Sequence, residues 1–108
     1  MSVLSPTAPV RDIAVSAGAS ELVWTQITEL NGLDISIDVY QLALVPYGYV
    51  PSASDFQDVD ETEVVSQDVV KVALLVDSGT AGKYRLWAKV TDTQEVSIFP
   101  ASGTVEIS

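Results

Sequence analysis

Apolar and polar residues alternate along most of this chain with a period of two, the signature of strands with one buried face. The clearest case is AGKYRLWAKVTD, residues 81–92, where Tyr84, Leu86, Ala88 and Val90 fall on one side and Arg85, Trp87, Lys89 and Thr91 on the other. RDIAVS (11–16) predicts a short strand. ELVWTQITE (21–29) predicts a second, with Leu22, Trp24 and Gln26 alternating against Val23, Thr25 and Ile27. Asn31-Gly32 is a turn dipeptide. Residues 34–45 predict a long third strand whose apolar phase runs Ile35, Ile37, Val39 and then shifts to Leu42 and Leu44, the mark of a bulge or of a strand that changes sheets. Residues 46–60, with Pro46, Gly48 and Pro51, read as a loop. Residues 62–76 predict a strand with Val70, Val72, Leu74 and Val76 inward, and 77–82 a turn before the strand quoted above. Residues 95–99 and 103–107 predict a last strand broken at Pro100 and Ser102-Gly103. No ten-residue segment keeps a helical period. The expected fold is therefore all-β, an antiparallel sandwich of about seven strands over residues 11–108. Residues 1–10 are expected to form an extended arm, because Pro6 and Pro9 suit neither helix nor central strand. That arm either frays or reaches a neighbouring subunit.

Composition narrows the chemistry. At 108 residues and 47% hydrophobic, the chain suits one domain with a core of its own. It has no cysteine and no histidine. Disulfides, thiolate metal sites and the Ser-His-Asp triad are therefore excluded, along with the commonest general base and the usual zinc and iron ligands. No enzymatic role and no cofactor are expected. Five Lys+Arg stand against fifteen Asp+Glu, a formal net charge of -10, which argues against nucleic acid and anionic membranes as partners. MSVLSPTAPV has neither a basic n-region nor a long apolar core, so no secretory signal is expected. No run approaches the roughly 20 apolar residues of a membrane span, and a soluble product made in the cytoplasm is expected.

The charge is unevenly spread. Residues 1–70 hold one cation, Arg11, and eleven acids; residues 71–108 hold four of each. Lys83, Arg85 and Lys89 make residues 83–89 the one locally basic element. Asp58, Asp60, Glu61 and Glu63 offer oxygens to a hard cation, yet their spacing is not that of a calcium loop, and a solvated acidic loop is the expectation. Trp24 is expected in the core. Trp87 has two readings: Arg85 and Lys89 lie over its ring as cation–π partners, or the three form a contact surface, where aromatics and arginine are enriched. Tyr47 and Tyr49, in PYGYVP, read equally as a contact surface or as loop packing. The expected partner-binding residues are Arg85, Trp87, Lys89, Tyr47 and Tyr49, with no catalytic and no metal residues.

Two resemblances bear on these residues. ELVWTQI (21–27) resembles the second strand of fibronectin type III and immunoglobulin-like sandwiches, with Trp24 in the core position, and KYRLWAKVTD (83–92) resembles their sixth strand, begun by a tyrosine. AGKYRLWAKVTDTQEVSIFPASGTVEI (81–107) resembles the C-terminal half of small virion proteins of tailed bacteriophages, matching at Gly82, Tyr84, Trp87, Val90, Asp92, Glu95, Gly103 and Ile107. It departs at Gln94, where those proteins often carry proline, and in a longer following loop. The resemblance implies a structural protein of the virion. The leading expectation is a capsid decoration protein that binds and reinforces the assembled head through the major capsid protein or another virion protein, as a possible homo-oligomer such as a trimer. The alternatives are a head–tail connector or tail accessory, and an immunoglobulin-like adhesion domain that binds a host-surface glycan or protein.

Overall fold

A computed structural model describes residues 4–8, 13–15, 20–77, 81–92, 95–101 and 104–107. The strands are β1 (Leu4–Ala8), β2 (Ile13–Val15), β3 (Ser20–Glu29), β4 (Val39–Pro46), β5 (Gln57–Asp58), β6 (Glu61–Ser66), β7 (Val69–Asp77), β8 (Gly82–Thr91), β9 (Val96–Pro100) and β10 (Val105–Ile107), with one 3-10 turn at Ala53–Asp55. They form two sheets. The first runs β1-β3-β7-β6 and the second β2-β10-β8-β4-β5, with β9 also paired to β8. Every pairing is antiparallel except β2 with β10. In the first sheet β1, β3, β7 and β6 stand as strands A, B, E and D of an immunoglobulin-like sandwich. In the second, β4, β8 and the divided β9/β10 stand as C, F and G. The fold is an Ig-like β-sandwich.

Alternation puts one face of each sheet into a shared core. Val23 and Ile27 of β3 and Val70, Val72, Leu74 and Val76 of β7 meet Tyr40 and Leu42 of β4, Leu86, Ala88 and Val90 of β8, and Val105 and Ile107 of β10. The inward sets expected on residues 70–76 and 84–90 are the observed ones, with Tyr84 packed against the cluster at its margin.

Four expectations change. The phase of β3 is the reverse of that expected for Trp24: Val23, Thr25 and Ile27 point inward, and Trp24 stands on the outer face, 36% exposed. A large aromatic at a strand centre signals burial somewhere, but the run 22–27 is apolar in both phases, so the sequence alone does not orient it. The third strand is shorter than 34–45. Residues 36–37 form a turn that leaves Ile37 84% exposed, whereas Ile35 is buried, its N–H donating to Gln67 O at 2.7 Å and its carbonyl accepting from the Tyr40 hydroxyl at 2.6 Å. The phase shift in that segment is this change from turn to strand. Residues 62–76 are a hairpin of β6 and β7, not one strand. The Gln67-Asp68 turn carries no glycine or proline; it is held by Ser66 Oγ donating to Asp68 Oδ1 at 2.7 Å and by Glu29 N–H donating to Asp68 O at 2.8 Å. Lastly, residues 4–8 of the expected arm are β1, paired with β3 at the sheet edge, where Pro6 costs no interior ladder bond. Residues 1–3 and 9–10 of that arm lie outside the described residues.

Candidate binding face

Directly paired residues of antiparallel strands share a face, so the register of the second sheet defines its outer surface. Along β8 that surface carries Lys83, Arg85, Trp87, Lys89 and Thr91. Across on β4 stand Val45 opposite Arg85, Ala43 opposite Trp87, Gln41 opposite Lys89 and Val39 opposite Thr91. On the other flank Pro100, Ile98 and Val96 of β9 stand opposite Trp87, Lys89 and Thr91, and Glu106 of β10 opposite Lys83. The three strands thus bring the basic stripe and an apolar border onto one plane.

The cations do not lie over Trp87. Arg85 Nε donates to Ala101 O at 3.2 Å, which ties it to the break between β9 and β10. Lys89 Nζ sits 5.8 Å from the centroid of Phe56, and Lys83 Nζ sits 5.0 Å from that of Tyr47. Of the two readings of Trp87, the cation–π one is not what the structure shows: the two lysines pair instead with rings of the 47–56 segment. That segment crosses the face. Ala43 and Val45 share the outward side yet are buried, and the 3-10 turn packs on β4. Ser52 N–H donating to Asp55 Oδ2 at 2.8 Å and Asp55 N–H donating to Ser52 O at 3.0 Å keep the turn closed. Trp87 is consequently half-buried, and its indole N–H is fully buried without a hydrogen-bond partner among the described residues.

Tyr47 and Tyr49 follow the end of β4. The turn between them needs the left-handed backbone that Gly48 supplies at φ +94°, and it is closed by Tyr49 N–H donating to Pro46 O at 3.1 Å. Tyr47 N–H donates to Lys83 O at 2.9 Å. The ring of Tyr47 therefore stays with Lys83 while half its surface faces solvent, and Tyr49 is 68% exposed. The structure brings Tyr47 to the Lys83–Arg85 end of β8. Lys89 lies six residues further along the strand, roughly 20 Å from Lys83, so the five expected residues make a ridge rather than one cluster.

Sequence reasoning missed the apolar border at the far end. Val39, Val96 and Ile98 are each more than half exposed beside Thr91 and Lys89. Their signal is their register with the outward residues of β8, which appears once the strands are paired. It also missed the outer face of the first sheet, where Leu22 pairs with Leu75 and Trp24 with Ala73, leaving Leu22, Trp24 and Leu75 partly exposed. Each outer face thus carries one tryptophan.

The acidic stretch has a local structural role. Asp60 Oδ2 accepts from Leu75 N–H at 2.7 Å, Asp58 Oδ1 accepts from Gln41 Nε2 at 3.2 Å, and Glu63 pairs with Lys71 at 3.8 Å. Among the described residues no three acids converge as a metal site. At the opposite end of the sandwich from Lys83, burial first, then the charges of Asp92 and Asp34, pushes Asp38 above the ordinary carboxylate range. Asp34 is held below it by Ser36, whose hydroxyl and amide both donate to Asp34 Oδ1. Burial raises the Tyr40 phenol above its ordinary value, so it stays protonated and donates to Ile35 O.

No protein-family model and no curated protein matches the chain. Solved structures similar to it include titin domain M7, at 12% identity and a TM-score of 0.46 over 100% of this chain and 97% of that one. A chimeric titin Z1Z2-Z1Z2 tandem matches at 16% identity and a TM-score of 0.42, over 97% of this chain. The titin domains Z1Z2 in complex with telethonin match at 19% identity and a TM-score of 0.40, over 100% of this chain. The chain spans about half, 49%, of the length of each of these last two.

Proposed function

We propose that this chain is a non-enzymatic structural protein of a tailed-phage virion that decorates the assembled head, its contact surface being the ridge of Tyr47, Tyr49, Arg85, Trp87 and Lys89. One observation carries the choice of surface: the exposed Tyr47 leans on Lys83 of the single basic strand of an otherwise acidic molecule, with Tyr49 exposed beside it. Rigid tyrosines contribute contact area at low entropic cost, and a central aromatic or arginine is worth about 2 kcal/mol or more when an interface closes over it. The likeness of residues 81–107 to small phage virion proteins supports the partner, the major capsid protein or another shell component. Attachment is by surface complementarity. Copies joined as trimers on a symmetric shell gain avidity from simultaneous contacts.

The test is to mix purified protein with heads that lack it and sediment them. The expected result is saturable attachment in hundreds of copies, on the generic symmetry of such shells. Failure to co-sediment, with no copies in virions, sinks the reading, and a small ring of copies moves the protein to the head–tail connector.

A further inference from the structure

Asn31 is the single asparagine of the chain, and it precedes Gly32. The structure gives this turn an unusual set of restraints. Glu29, buried at the end of β3, accepts the Asn31 N–H with both carboxylate oxygens at 3.0 Å and accepts the Leu33 N–H with Oε2. The amides on either side of Gly32 are therefore tied to one buried carboxylate. Gly32 itself sits at φ +75° with nothing within 4 Å of where a Cβ would stand, and its N–H meets no acceptor among the described residues. Asn31 and Gly32 are both exposed, so water reaches them.

We propose that Asn31–Gly32 is a site of water-driven self-modification that releases the turn from the Glu29 clamp. The Gly32 backbone nitrogen gives its proton to solvent base and attacks Cγ of Asn31. A new C–N bond closes a five-membered cyclic imide, the Cγ–Nδ2 bond breaks, and the amide nitrogen leaves with a solvent proton as ammonia. Water then opens the imide. Attack at Cγ leaves an ordinary aspartate at position 31, and attack at the former backbone carbonyl leaves an iso-aspartate, with the chain rerouted through Cβ and Cγ. No oxidant and no enzyme enters the balance. Gly32 favours the attack because no side chain blocks its nitrogen. Both products set a new carboxylate near that of Glu29, and the iso form adds a backbone carbon between the two clamped amides, which Glu29 then no longer spans. The turn leads directly to Ile35, the fully buried residue that plugs this end of the core, so the change lowers the stability of the sandwich.

The test incubates the full chain in mildly alkaline buffer, folded and unfolded in urea, beside Asn31→Gln. Because the chain has one asparagine, intact mass reads the site directly. The expected result is loss of the unmodified peak from folded wild type at a rate comparable with the unfolded chain. Peptide mapping then finds aspartate and iso-aspartate at position 31, no matching loss occurs in Asn31→Gln, and the aged wild type melts lower than the equally aged variant. Folded wild type that keeps its mass while the unfolded chain converts overturns the proposal. Conversion with no fall in melting temperature overturns the release of the clamp.

Discussion

Thr25 lies mid-β3 at 1% exposure, paired with Val72 of β7, and its hydroxyl has no hydrogen-bond partner among the described residues. Burying a hydroxyl without a partner costs about 1–3 kcal/mol, because its hydrogen bonds to water are lost and nothing replaces them. Thr25→Val exchanges that oxygen for a methyl of nearly the same shape and keeps the β-branch that suits a strand. The variant should therefore be more stable by about 1–3 kcal/mol. For a domain of this size each kcal/mol moves the melting temperature by about 4–8 °C. Urea titration should show a higher midpoint at an unchanged slope, since neither the fold nor the area exposed on unfolding changes. Thr25→Ser is the control: it keeps the hydroxyl and loses a buried methyl, and should be less stable by about 1 kcal/mol. A valine variant no more stable than wild type would mean that the Thr25 hydroxyl is not an uncompensated buried group.

Three further outcomes follow from the same geometry. Glu29→Ala strips the acceptors from the Asn31 and Leu33 amides and should cost about 3 kcal/mol in urea unfolding, the scale of losing hydrogen bonds to a buried charged group. Asp38, whose pKa is raised in the folded state, binds its proton more tightly folded than unfolded; its stabilising effect is complete below the unfolded carboxylate pKa and is lost as pH rises through the folded one. Asp38→Asn should therefore melt higher than wild type at neutral pH, and the gap should close in acid below the carboxylate range. Trp87→Phe removes an indole N–H that is buried without a partner and should stay within about 1 kcal/mol of wild type, whereas Trp87→Ala, which empties a half-buried site, should cost about 2–3 kcal/mol by chemical denaturation.

The sandwich was legible because β7 and β8 alternate cleanly: one phase of each is wholly apolar and the other holds Lys71, or Arg85 and Lys89. β3 was not orientable in the same way, since Leu22 and Trp24 balance Val23 and Ile27, and the choice falls to pairing with β7 rather than to composition. The β6–β7 hairpin escaped because its turn, Gln67-Asp68, is built from side-chain and cross-loop hydrogen bonds instead of glycine or proline. For the candidate face, the sequence marked the basic and aromatic residues by their rarity in an acidic chain. Which rings the lysines meet, and the exposed border of Val39, Val96 and Ile98, depend on strand register and on the path of residues 47–56, neither of which a period of two encodes.

In the proposed role, the Tyr47–Tyr49–β8 face, and not the Trp24 face, meets the head. Hydroxyl-radical footprinting of the protein free and on heads reads both faces in one experiment. The expected result is that oxidation of Tyr47 and Tyr49 falls on attachment while oxidation of Trp24 is unchanged. Protection of Trp24 with Tyr47 and Tyr49 still reactive contradicts it.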